Sequence, residues 1–378
     1  MNEAPIVYPR RISHSPDVLV IGGGIVGLSI ARALDDLGFR VDVLEAHTPG
    51  AGASNAAAGM LSPITESHER PDFLATLLEG RNLWPRWAEE LQAETAIDVD
   101  FSPSGALLPA FDTAQLEGLD RIRSIAQELD EPVESVDPQA LQSRYPEISP
   151  KVRQSLFLPG ESTVDNVQVT SALSESLFRR GVIVHRQREV LDVVREGDSW
   201  RVSGEGWRVG AAHVVVAAGA WTPRIRGLPK IEMAPIRGQM ISFHVPDWQW
   251  SGAIRCERHY SVRRRNGEVL IGATVEDAGF DASTTESAQS ELVQFAHDLF
   301  PKLRWKAVQS HWAGLRPGTD DGRPVLGPAG DEEGLILATG HYRNGILLAP
   351  WTAARVAEFF KGDADAFLEA YLPDRFHS

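Results

Sequence analysis

The chain has a single cysteine, Cys256, in 378 residues, which excludes an internal disulfide and any multi-cysteine metal site. No apolar run approaches the ~20 residues that cross a bilayer, and residues 1–15 hold no apolar core of the kind a secretory leader needs. Those residues are expected to form a loose tail. Positive charge is in short supply: 37 Lys and Arg stand against 52 Asp and Glu, a net charge of −15. A surface of that sign repels nucleic-acid phosphates and anionic headgroups, so neither nucleic acid nor membrane is an expected partner. No G-x-S-x-G elbow and no H-E-x-x-H pair occurs, and the 11 histidines lack ligand spacing, so no bound metal is expected. What remains is the composition of a cytoplasmic globular protein long enough for two domains.

The most informative segment lies near the N-terminus. An apolar strand, 17–21, runs into Gly22, Gly24 and Gly27 at G-x-G-x-x-G spacing. A helical pattern follows from Ile25, and a second strand ends in Glu45. Strand, glycines, helix, strand and acid together form the dinucleotide-binding fingerprint. Gly22 permits the tight turn, Gly24 lets the backbone approach a pyrophosphate, and Gly27 lets the helix pack closely on the strand. The helix start presents free N–H groups and its positive dipole end to phosphates. Glu45, about 20 residues on, suits ribose hydroxyls.

After Glu45 the chain turns small and irregular from Gly50 to Met60. Such a stretch is either a flexible surface loop or a backbone lying against a ligand, and its place after the ribose strand favours the second. Helical stripes follow around Phe73–Leu91, with Pro85 predicted to kink or break the first, and around Leu116–Leu129; both read as core. A helix is predicted over 168–180, strands over 182–184, 189–194 and 200–202, and a buried strand within 212–217 that ends in Ala218, Gly219 and Ala220. Residues 231–274 read as an antiparallel sheet with a hairpin at Asn266-Gly267. A helix over 287–299, a strand over 335–338 and a helix over 346–360 complete the pattern. The fold class is α/β: a Rossmann-like dinucleotide-binding domain (16–90, 151–230, 315–378) with an inserted antiparallel-sheet substrate domain (91–150, 231–314).

Three further stretches carry a resemblance: Ala56-Ala57-Ala58-Gly59-Met60-Leu61, the run from Trp312 to Thr319, and the run from Gly340 to Pro350. With the fingerprint, they make the chain similar to the D-amino-acid-oxidase-like flavoproteins over nearly its whole length, and most similar to the branch that oxidises glycine for thiamine synthesis. The resemblance implies FAD, held noncovalently, since Arg316 stands roughly where covalent relatives carry their tethering cysteine. It implies hydride transfer from glycine, sarcosine or a small D-amino acid, reoxidation by O2, and release of glyoxylate or another keto acid, ammonia and H2O2. A homo-oligomer is also expected. For the cofactor it implies Ile25 and Val26 at the pyrophosphate, Glu45 and Ala46 at the ribose, and Ala53, Ser54, Ala58, Gly59 and Met60 along the FAD. Val190 would lie by the adenine, with His341, Tyr342, Arg343, Asn344, Gly345, Ile346 and Leu347 at the helix start facing the flavin pyrimidine.

For the substrate it implies Arg316 as a bidentate carboxylate clamp, assisted by Tyr260 and Arg343; a planar guanidinium fork matches two carboxylate oxygens. No side chain is assigned as a general acid or base. Two positions depart from the pattern: Val275 replaces a larger pocket residue and Arg258 a histidine near the entrance. The alternatives within the fold are a D-amino-acid dehydrogenase with a non-oxygen acceptor, which the absence of a membrane-facing stretch disfavours, and an FAD oxidase of modified tRNA, which the net charge disfavours. A flavin-binding module without catalysis would not need Arg316 and Tyr260 together.

Overall fold

The structure is a computed structural model that describes residues 15–67, 71–330 and 333–376. The tail expected over 1–15 lies, but for its last residue, outside the described residues. A six-stranded sheet runs in the order Val325–Pro328, Leu335–Thr339, His213–Val216, Val18–Ile21, Val41–Leu44, Ile183–His185; it is parallel except for the Val325–Pro328 edge. The central strand Val18–Ile21 is buried on both faces. Its alternation sends Val18 and Val20 into one core with the helices Ile25–Asp36, Pro71–Thr95, Asn166–Arg180 and Gly345–Phe360. Leu19 and Ile21 point the other way, against a three-stranded antiparallel sheet of Asp192–Glu196, Ser199–Gly204 and Trp207–Ala211.

The strand predicted over 189–194 begins three residues later, at Asp192, and Val190 is a buried loop residue. Pro85 breaks nothing: the helix Pro71–Thr95 runs through it, held by fully buried Trp84, whose Nε1–H donates to the Leu347 carbonyl at 2.9 Å. Tertiary burial here outweighs the local cost of a proline. Among the described residues no helix is long and apolar enough to cross a membrane.

A second sheet of nine strands is mainly antiparallel. Its long strand Met233–His244 pairs with Glu268–Gly272 and Glu276–Asp277 on one side, and with Ser310–Thr319 on the other. The sheet continues through His259–Arg263 and Gly252–Cys256 to Ala106–Ala110, Gln154–Leu158 and Glu134–Val136. The expected hairpin closes at Gly267, whose φ of 85° is left-handed. Register places one row of residues on one face: Trp312 opposite Met240, Met240 opposite Gly272, Gly272 opposite Tyr260 and Tyr260 opposite Arg255. Arg316 and Gly314 share that face by the two-residue period of their strand. This face looks towards the C-terminal ends of the parallel strands, where open α/β sheets bind ligands.

Candidate active site

A cleft of about 470 Å³ runs between the two sheets. One end is built by the N-terminal fingerprint. Gly22 turns the chain at φ 108°, a conformation costly for any residue with a Cβ. A Cβ at Gly27 would overlap the Gly22 carbonyl, so the helix Ile25–Asp36 can sit on the strand only with glycine there. Its N-cap, Gly24, has no side chain to cap the helix, although Ser54 Oγ accepts the N–H of the first helical residue, Ile25, at 2.9 Å. The Glu45 carboxylate is fixed at the cleft wall by the N–H groups of Gly23 and His47, both at 2.7 Å.

The middle of the cleft is the Gly50–Met60 loop. Gly59 has φ 75°, and a Cβ there would overlap the Val164 carbonyl. Buried Arg264 braces this loop from behind, donating to the carbonyls of Val164 and of Ala58 (2.8 Å) and to Asn166 Oδ1 (2.6 Å). Asn166 in turn donates to the Ser54 carbonyl at 2.7 Å. On the opposite wall Ala218, Gly219 and Ala220 offer little side chain, and the helix Gly345–Phe360 arrives with no side chain capping its N-terminus. His341 at this junction is buried and pushed down to about 4 by burial, so it is neutral; its Nε2 lies 2.9 Å from Thr352 Oγ1.

The far end holds Arg316, Tyr260, Arg343, Met240 and Glu66. The Arg316 guanidinium lies over Gly238, where a Cβ would overlap it, and Nη1 donates to the Thr274 carbonyl at 3.1 Å. Glu276 secures the backbone behind it by accepting from Thr274 Oγ1, from Arg237 Nη2 at 2.6 Å and from Gln239 Nε2 at 2.9 Å. Tyr260 is buried, its phenol pushed up by burial and therefore neutral, with its hydroxyl 3.6 Å from Met240 Sδ. Burial pushes the Glu66 carboxyl up, but Arg255, Arg343 and Arg316 together outweigh it and hold the group below the usual range. Glu66 pairs with Arg255, and its Oε2 lies 2.9 Å from Arg343 Nε.

Of the residues singled out in the sequence, Gly22, Gly24, Ile25, Val26, Glu45, Ala46, Ala53, Ser54, Ala58, Gly59, Met60, Val190, Tyr260, Arg316, His341, Tyr342, Arg343, Gly345 and Ile346 line the cleft. Gly27, Asn344 and Leu347 do not. Gly27 sits at the helix–strand contact, Asn344 precedes the last helix, and Leu347 packs into the core. Val275 is 52% exposed and Arg258 pairs with Glu291 at 2.9 Å; neither lines the cleft, so the two departures do not alter its wall. Cys256 is buried outside the lining, with its thiol pushed up to about 12 by burial. Glu66, Arg255, Met240, Gly238 and Arg264 were not read from the sequence. Alternation would have placed Arg255 beside Tyr260 had 252–256 been recognised as a strand; Glu66 carried no local signal.

The lining fits FAD. It offers two helix N-termini for anionic groups, an acid at the ribose position, and a long wall of glycine and alanine backbone where a flat ring system can lie. Fold and cleft together define a flavoprotein oxidoreductase. The chain belongs to the FAD dependent oxidoreductase (DAO) family, whose model matches residues 17–359, and FAD is its cofactor. It is similar to the glycine oxidase of Pseudomonas aeruginosa, 33% identical over 92% of this chain and 95% of that protein. It is also similar to the bifunctional protein ThiO/ThiG of Trichormus variabilis, 32% identical over 95% of this chain but only 55% of that longer protein. Its fold matches the crystal structure of glycine oxidase from Geobacillus kaustophilus with a TM-score of 0.91 and 30% identity, covering 96% of this chain and 99% of that one.

Proposed function

We propose that this protein oxidises glycine and other small amino acids, with sarcosine and small D-amino acids as further substrates, to an imine that hydrolyses to glyoxylate or a keto acid, releasing ammonia from a primary amine and methylamine from sarcosine. The observation that carries this reading is the common face of Arg316 and Tyr260 in the far end of the cleft, next to Arg343 and open along the same cleft to the fingerprint glycines. Bound FAD supplies the electron sink, and O2 takes the electrons on as H2O2.

This chain's residues bind and orient. Arg316, with its back held by the Thr274 carbonyl, presents its remaining N–H donors to a substrate carboxylate. Neutral Tyr260 adds a hydroxyl donor, and buried apolar Met240 closes the wall beside it. Exclusion of water from this end strengthens the charge pair. The uncapped start of the helix Gly345–Phe360 places positive dipole where a reduced ring system carries negative charge. The cofactor segments (16–90, 151–230, 315–378) and the substrate segments (91–150, 231–314) meet at the cleft, Arg316 and Arg343 coming from the first and Tyr260 from the second; the FAD is held without a covalent bond, and the protein works in the cytoplasm.

The names of the similar proteins support a service to thiazole formation in thiamine synthesis. The test is anaerobic mixing of the flavin-loaded protein with glycine, sarcosine, D-alanine and D-proline. Bleaching of the flavin band by at least one of them is expected; no bleaching by any would end this reading.

A further inference from the structure

Three acidic side chains reach the cleft wall: Glu45, Glu66 and Glu189. Glu45 is occupied at the fingerprint end by the Gly23 and His47 N–H groups. Glu66 stands instead beside the proposed carboxylate clamp: it touches Arg343, and its charge acts on both Arg316 and Tyr260. We propose that Glu66 is a specificity residue that restricts the site to amino acids with one carboxylate and turns away those with a second acidic group. This rests on the reading of Arg316 as the clamp.

The geometry gives Glu66 little freedom to yield. Its side chain is 6% exposed. Arg255, itself buried, holds it from behind the wall, and Arg343 holds it from within. It rides on the short helix Pro63–Ser67, whose first N–H groups, those of Ile64 and Thr65, both donate to buried Glu161 at 3.1 Å; Thr65 Oγ1 donates to the same carboxyl at 3.1 Å. A substrate with its carboxylate on Arg316 therefore has a fixed anion in the wall of the same cleft. A hydrogen, a methyl or a short apolar side chain meets no charge penalty there. A second carboxylate meets a like charge in a desolvated site, where such juxtaposition is costly. Rejection of an unwanted partner by a placed repulsion is a common route to specificity.

The test compares pairs of substrates that differ by one carboxylate, using the flavin-loaded full chain: glycine against iminodiacetate, and D-alanine against D-aspartate. The wild type is expected to show kcat/KM at least about tenfold lower for the dicarboxylate of each pair. Glu66→Gln is expected to raise the dicarboxylate-to-monocarboxylate ratio at least about tenfold, and Arg255→Met, which leaves Glu66 less neutralised, to lower it. The ratio is independent of the fraction of active protein, so a merely structural effect would not move it. Glu66→Gln leaves Arg255 buried without its partner, and so the double variant Glu66→Gln/Arg255→Gln accompanies it, with a rise in the ratio expected there too. Acetate and malonate, titrated against the flavin spectrum, give the same comparison without turnover.

Wild-type protein that takes both members of each pair equally, or a ratio that stays put in all three variants, would overturn the role of Glu66 while leaving amino-acid oxidation intact. Failure of every amino acid to reduce the flavin would instead strike the function on which the inference rests.

Discussion

Arg316 and Gly238 occupy one volume between them: the guanidinium lies where the side chain of residue 238 would otherwise begin. The strands Met233–His244 and Ser310–Thr319 are paired, with Gly238 opposite Gly314 and Arg316 opposite Ile236, so the arginine folds diagonally over the glycine. Gly238→Ala is expected to push the guanidinium out of line. Misplacement by about 1 Å costs on the order of 10²-fold in a positioned reaction, so kcat/KM for glycine should fall by about 10- to 100-fold. FAD affinity should not change, because Gly238 supports the clamp and not the fingerprint. Steady-state kinetics together with an FAD titration separate the two effects.

At the other end of the cleft the limiting contact is between Gly27 and the Gly22 carbonyl. Gly27→Ala must lift the helix Ile25–Asp36 from its strand, at a cost typical of overpacking, roughly 1–3 kcal/mol. The displaced helix start would also hold a pyrophosphate less well. A lower thermal midpoint and easier loss of FAD on gel filtration are expected together; a variant with wild-type midpoint and wild-type FAD retention would show that the contact relaxes freely.

The buried carboxyl of Glu161 gives the protein a pH signature. Burial pushes it up from 4.5 to about 7, against the donors of Thr65 and Ser62 that pull it down. Below pH 4.5 the group is protonated in both the folded and unfolded chain, and its contribution is fully favourable. As pH rises through the folded value the native state must either keep a proton the unfolded chain has lost or ionise in a buried place. Up to about 3 kcal/mol of stability is therefore lost across that window. The thermal midpoint of the wild type should fall between about pH 5 and about pH 8 more than that of Glu161→Gln, whose side chain does not titrate. Equal pH slopes would mean that Glu161 titrates normally.

The parts of this molecule that were legible in the sequence are those whose chemistry is local. The fingerprint needs a left-handed turn at Gly22 and the missing side chains of Gly24 and Gly27 within six positions, and Asn266-Gly267 needs only its own turn, so both could be read without tertiary knowledge. Arg316 and Arg343 come from runs that resemble a known family, and Tyr260 from its match to that family's tyrosine, not from their own surroundings. Glu66 was illegible because nothing near it in sequence marks a buried acid. Its place is set by Arg255, 189 positions away, and by Arg343. The strand Gly252–Cys256 hid for a related reason: Arg255 is a charged residue on a buried face, and it interrupts the apolar pattern that signals a strand. The helix through Pro85 shows the same limit in reverse, a local breaker overruled by the burial of Trp84 and by its bond to Leu347.

The proposed ion pair between Arg316 and a substrate carboxylate is tested most directly by the concentration of glycine that half-saturates flavin reduction in wild type and in Arg316→Ala. Loss of a buried charge pair of this kind costs roughly 2–5 kcal/mol, so a rise of about 30-fold or more is expected, with the flavin spectrum and FAD affinity unchanged. Half-saturation at the wild-type concentration, in a variant that still binds FAD, would contradict it.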